Sequence, residues 1–351
     1  MPSRAFRLSV VVLAAGLTLA ACGGSSSGGA GGGKGGLAGT TITLYNSQHE
    51  QTTSALIQAF TAKTGIKVRV KDGDEDALTA QIEEEGSHSP ADVFYTENSN
   101  WLQQLDDRKL LAPVNASTLR DVPKPDSATN GDWVGVSARV SALVYNPSKV
   151  PASQLPTSIM QLADPQWKGK LGLAPAETDF WPVVSAIARA KGDAAALAWL
   201  RGIKANAGSD ANVPDNETLT SDVDNGTTAI GLINHYYYYR LRAEAGASNF
   251  HAKLAYFAPR DPGYVEAISG AGILASTHHL AAAQAFLKFL TSNAGQRILA
   301  TSDSFEYPIR PGVPASSELP PLKSLKPNDF TPAELGTGLD AKSLMQQVGL
   351  L

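Results

Sequence analysis

Apolar and polar residues alternate in short bursts along most of this chain, and the period of the bursts switches in a regular order. "TITLYNSQ" spaces Ile42 and Leu44 two apart, as a strand does. "EQTTSALIQAFTAKTG" then gathers Leu56, Ile57 and Phe60 on one helical face and ends at Gly65, a residue suited to closing a helix. "IKVRV" alternates again through Ile66, Val68 and Val70, "DALTAQIEEEG" reads as helix, and "ADVFYTE" as a short buried strand. Strand, helix, strand, helix, strand is α/β patterning with a largely parallel sheet. The pattern recurs: "WVGVSARVSALVYN" extended, "AAALAWLRGIKAN" helical, "TAIGLIN" a strand with "HYYYYRLRAEAG" a helix behind it. "VEAISGAGIL" is extended again, and "LAAAQAFLKFLTSNAGQRILA" reads as one long helix. A last short helix is predicted from an Asp340 cap to about Val348. No internal repeat is visible, and two α/β lobes around a cleft fit this length and alternation.

The first 22 residues follow neither period. Arg4 and Arg7 precede the apolar "LSVVVLAAGLTLAA", which is short for a membrane span, and the stretch ends in "LAAC". This resembles the lipobox of bacterial lipoproteins. The resemblance implies a signal peptide over 1–21, cleavage before Cys22, a lipid on its sulfur, and a mature protein held outside the cytoplasm at the cell membrane. An ordinary signal peptide with an incidental cysteine is the plainer alternative. Cys22 is the chain's one cysteine, so internal disulfides are excluded, and lipidation would leave no thiol for catalysis. Residues 22–40 are mostly Gly and Ser and read as a flexible tether. The formal charge of −4 comes with no basic cluster, which argues against nucleic acid as a partner.

"NHYYYYR" puts four of the chain's ten tyrosines side by side, after Asn234 and His235. If Asn234 caps the helix, Tyr236 and Tyr237 lie in its first turn and both reach one side of a cleft beyond the sheet edge, where open α/β sheets bind ligands. A phenol ionises near pH 10, so phenolate at neutral pH calls for a tightly bound cation, and its hard oxygen suits ferric iron. The alternative is packing, because tyrosines bury large apolar bodies; Tyr238 and Tyr239 read as structural. His49 follows the first strand in "YNSQHEQ" and Glu97 follows another in "DVFYTEN". Each alone is an ordinary loop residue. With two phenolates they supply one imidazole and three negative charges, enough to balance a trivalent ion. Arg139 in "VSARVS" suits either a bidentate anion contact or a structural ion pair. His235 adjoins the tyrosines but points away from Tyr236, and the remaining histidines read as solvated. No nucleophile elbow, two-histidine zinc pair or thiol is present, so an enzyme is not expected.

"LYNSQHEQ", "EEEGSHSPADVFYTEN", "PQWKGKLGL", "GLINHYYYYR", "DPGYVEAISGAGIL" and "EYPIRPGV" carry a resemblance to the ferric-ion-binding proteins of bacterial iron ABC transporters. The resemblance covers nearly all of residues 41–351. It implies a two-lobed periplasmic-binding-protein fold of type II, each lobe a mixed sheet flanked by helices, with one lobe from 41–140 plus 267–314 and the other from 141–266 plus 315–351. It implies Fe(III) held by His49, Glu97, Tyr236 and Tyr237, and delivery by a monomeric receptor to an ABC permease with its ATPase subunits. It also implies a small synergistic anion such as carbonate or phosphate, with Asn98, Thr178, Asn216 and Asn234 at anion-contacting positions. There the chain departs from the family: Glu177, Thr178 and Asp179 replace a loop of small residues, and two carboxylates repel an anion. Within the same fold class, a polyamine, organophosphonate or thiamine-like ligand is the competing expectation.

Overall fold

The computed structural model describes residues 36–351, apart from the side chains of Ala211 and Asn212. The leader, Cys22 and most of the tether lie outside the described residues. Ten strands form one sheet: β1 (Thr41–Ser47), β2 (Lys67–Asp72), β3 (Val93–Thr96), β4 (Leu111–Ala112), β5 (Trp133–Tyr145), β6 (Leu171–Gly172), β7 (Ile230–Asn234), β8 (Lys253–Ala255), β9 (Glu266–Leu274) and β10 (Tyr307–Pro308). The spatial order is β2-β1-β3-β9-β5-β7-β6, with β4 on β9 and with β8 and β10 on β5. β1 pairs in parallel with β2 and β3, and β6 with β7, while β9 and β5 run antiparallel to their neighbours. The sheet is therefore mixed and not largely parallel. Counting strands and helices misses this, because β5 and β9 return without the helix a parallel crossover requires.

β5 is the spine. Its alternate residues give no polar face: all of Trp133–Tyr145 is buried. From Trp133 to Val140 it pairs with β9, and from Ser141 to Tyr145 with β7. One strand thus belongs to two packed regions, which is why Arg139 is fully buried.

The predicted helices form at Glu50–Thr64, Glu75–Glu85, Asp193–Ala207 and His235–Ala245. Gly65 closes the first at φ 72, its N–H bonded to the Thr61 carbonyl at 2.8 Å. Two expectations fail locally. The long helix after β9 is two helices, Leu280–Leu290 and Asn293–Ala300. Ser292 is extended between them, and its hydroxyl caps the second by accepting from Gly295 N–H at 3.2 Å. Apolar periodicity ran through this break and hid it. The last helix, Leu339–Val348, starts after Gly338 in the left-handed region, so Asp340 lies in its first turn and is not its cap.

Candidate metal centre

The candidate side chains come from the C-terminal ends of parallel strands and the helices that follow them. β1 leads to His49, the residue before helix Glu50–Thr64. Its loop is braced by Asn46, whose Nδ2 donates to Asp72 and to the Gln48 carbonyl, each at 2.8 Å. β3 leads to Glu97. β7 ends at Asn234, which holds the cap position with extended backbone, so Tyr236 and Tyr237 fall in the first turn of His235–Ala245.

These elements converge. The His49 and Tyr236 rings meet edge to face at 5.0 Å, and the Tyr236 and Tyr237 rings lie 4.1 Å apart. Glu97 reaches His49 Nδ1 at 3.4 Å and Tyr236 Oη at 3.1 Å. Asp179 sits between the phenols, its Oδ2 accepting from Tyr237 at 3.0 Å and from Tyr236 at 3.1 Å. A phenol has one proton, yet Tyr236 lies against two carboxylates. The arrangement is satisfied when Tyr236 donates to Asp179 and a protonated Glu97 donates to Tyr236. Burial supports this state, pushing Glu97 well above the usual carboxylate range against the pull of Arg139. Burial, with Asp179 close behind, also pushes both phenols well above 10. His49 is held neutral, lowered to about 4 by burial, and its Nε2 has no hydrogen-bond partner. Without a cation the site is a proton-filled trap of hard oxygens and one free imidazole lone pair.

Arg139 underlies the cluster. Its Nη1 binds Glu306 at 2.6 Å and lies 3.6 Å from Glu97, while its Nε lies 3.6 Å from Asp179. The ion pair with Glu306 is structural, yet Nε and Nη2 have no hydrogen-bond partner. Asn98 Nδ2 donates to Glu75 at 3.0 Å, Asp179 at 3.1 Å and Thr178 at 3.2 Å. Thr178 also donates to Glu75, a buried carboxylate that accepts from Asn98 N–H and Trp101 Nε1. The expected anion contacts Asn98, Arg139 and Thr178 are thus brought together, and the negative charge at their centre is the Asp179 carboxylate. Asn216 and Asn234 flank Asp179 around a cavity of about 10 Å³, room for one water and not for phosphate.

His235 is spent on structure. Nδ1 accepts from Val140 N–H at 3.2 Å and Nε2 meets the Phe305 carbonyl at 2.9 Å. It pins the tyrosine helix to β5 at the point where that strand changes partners. Tyr238 packs against Phe250 and Tyr239 against Phe305; His88, His251, His278 and His279 are exposed. Sequence reasoning missed three carboxylates. Glu306, alone in the apolar "SFEYPI", carried the signal of a buried charge. Asp179 was read as an obstacle to an anion and as part of an acidic cleft for a polyamine, not as a partner of the phenols, and Glu75, inside the acidic "DGDEDA", carried no signal at all. Among the described residues no group of three or more His, Cys, Asp or Glu forms a metal-holding cluster by itself. A metal here depends on the phenols.

The family model described as bacterial extracellular solute-binding protein matches residues 55–326. A Serratia marcescens protein named Fe(3+)-binding periplasmic protein is 41% identical over 310 residues, covering 88% of this chain and 90% of its own. The major ferric iron-binding protein of Neisseria meningitidis serogroup B is 38% identical over 314 residues, covering 88% and 93%. A crystal structure of iron-bound HitA from Pseudomonas aeruginosa superposes with a TM-score of 0.84 at 42% identity, covering 88% of this chain and 99% of that one.

Proposed function

The chain belongs to the bacterial extracellular solute-binding protein family, with the two-lobed α/β fold of periplasmic binding proteins, and on that premise we propose that it is a ferric-iron receptor of an ABC importer. The observation that carries the reading is the convergence of His49, Glu97, Tyr236 and Tyr237 at one point on the cavity wall. Their protons supply the chemistry. Glu97 and the two phenols hold three exchangeable protons in the metal-free site, and Fe(III) replaces them charge for charge. His49 contributes a lone pair that needs no deprotonation. Asp179, already on both phenols, supplies a further oxygen where relatives with a small-residue loop would take an anion from solution. Arg139 offsets the remaining negative charge from beneath.

β5 is the natural hinge of this receptor, since its partners change between Val140 and Ser141. His49 and Glu97 then belong to the lobe of 41–140 plus 267–314, and the tyrosines to that of 141–266 plus 315–351. Iron bound from both sides stabilises closure and presents the closed surface to a permease. A lipid on Cys22 would keep the monomeric receptor near that permease. The role is binding and delivery, without catalysis.

The test is a visible-absorption titration of the protein with ferric iron, beside Tyr236→Phe and Tyr237→Phe. A saturable phenolate-to-iron band at one iron per chain, lost or shifted in both variants, is the expected result. A folded protein with no band, stabilised thermally by spermidine, would make the acidic cleft a polyamine site and end the iron reading.

A further inference from the structure

Resting on the ferric-iron reading, we infer that the cleft takes iron from cationic or neutral complexes and repels anionic chelates. The site opens into a cavity of about 790 Å³ whose wall includes His49, Glu97, Asp179 and Tyr237. A space of that size admits a small chelate, so volume does not select. Charge does. Beyond the ligands themselves the wall carries Glu50, Asp72, Asp74, Asp76, Glu177 and Glu217, and among the described residues the one Lys or Arg lining it is Arg240. Arg240 is already paired, its Nη1 3.4 Å from Glu217 Oε1. Arg139 is turned away from the opening toward Glu306 and fully buried.

The imidazole of the iron site points the same way. The His49 side chain is 9% exposed and stands in the cavity wall, its Nδ1 toward Glu97 and its buried Nε2, 3.9 Å from Glu306 Oε1, without a hydrogen-bond partner. A proton on Nδ1, which faces Glu97 at 3.4 Å, leaves the Nε2 lone pair free. A lone pair in a ring of carboxylates accepts a cation and offers an anion nothing.

A cleft lined by one sign of charge focuses its field and changes association rates by about 10- to 1,000-fold. An anionic chelate meets that field at the rim, before any exchange of ligands begins. The acidic rim is therefore a filter on the form of iron, and an anionic chelate must shed its ligands outside the cleft.

The experiment follows the growth of the phenolate-to-iron band by stopped flow, from two donors. One is the monocationic one-to-two complex of iron with acetohydroxamate, the other the multiply anionic ferric dicitrate. The wild type is compared with a Glu50→Gln, Asp74→Asn, Asp76→Asn triple variant. All three residues are exposed, and none makes a long-range side-chain bond. Comparing variant with wild type for each donor cancels the donors' own lability. The triple variant should capture iron about 10-fold more slowly from the cationic donor and about 10-fold faster from dicitrate at low salt. Both differences should shrink in about 1 M salt, where screening acts over about 3 Å. Equal variant-to-wild-type ratios for the two donors, with normal bands, would overturn the charge filter and leave the iron site intact. Absence of a band from both donors would overturn the iron reading and the filter with it.

Discussion

Tyr236 and Tyr237 share a helix and a residue type with Tyr238 and Tyr239, yet the two pairs face different chemistry. The first pair points its hydroxyls at Asp179. The second pair spends its rings on Phe250 and Phe305, with Tyr239 also against the structural His235. Nothing intrinsic to tyrosine separates them. The separation comes from where β7 stops. Asn234 is the last strand residue, so the first helical turn stands over the sheet edge and the next residues rotate about 100° each toward the outer packing. A shift of one residue in that boundary would hand the site to a different pair.

The largest way to break the contrast is acid. Only the first pair must lose protons to bind iron, and burial has raised both phenols and Glu97. Proton release on binding means affinity rises with pH and falls as acid restores those protons. With three protons displaced, iron affinity, corrected for the competing chelator's own pH dependence, should drop about 1,000-fold per unit between pH 8 and pH 6. His49, neutral down to about 4, adds nothing to the slope in that window. A pH-independent affinity would remove the phenolates from the site.

Single substitutions come next. A buried metal site is worth about 10–16 kcal/mol, so one donor of several carries a few kcal/mol, about 100- to 1,000-fold in affinity. Tyr236→Phe and Tyr237→Phe should each lose that much by competition titration, and the visible band with it. Asp179→Asn removes the carboxylate but keeps the volume and should weaken binding by about 10- to 100-fold. In Asp179→Gly, which frees that volume, added carbonate should restore part of the loss if Asp179 stands in for an external anion.

His235 sharpens the contrast from the structural side. Its pKa falls from 6.5 to about 4 on burial, with the Phe305 carbonyl pulling the other way. The unfolded chain therefore binds a proton that the folded one refuses. Stability is complete above about 6.5 and is lost as the pH falls toward about 4. Between pH 7 and pH 5 this residue should account for about 2 kcal/mol, so urea unfolding of metal-free His235→Gln should show that much less pH dependence than the wild type. The smallest effect belongs to the outer pair. Tyr238→Phe and Tyr239→Phe should keep the band and change stability by less than about 1 kcal/mol, read from the thermal midpoint.

Much of the frame was legible before any coordinates. Ile42 and Leu44 marked β1, Gly65 marked a helix end, and "TAIGLIN" followed by "HYYYYR" marked the strand-to-helix turn that presents the phenols. These are local matters of period, caps and turns. Ser292 was not legible as a break because apolar spacing continued across it. The antiparallel return of β9 between β3 and β5 was not legible either, since strand order is settled between residues more than a hundred positions apart.

The same division runs through the site. The sequence by itself determined the α/β elements and the placing of His49, Glu97 and the tyrosines at strand ends, because each depends on neighbours a few residues away. Only the tertiary structure decided which carboxylates matter. Glu306 and Glu75 look like any other acids along the chain, Asp179 stood out only for its place in a loop, and each of the three acquires its role with at least one partner 57 or more residues distant. Buried charge is governed by what surrounds it in three dimensions, and a one-dimensional pattern does not carry that information.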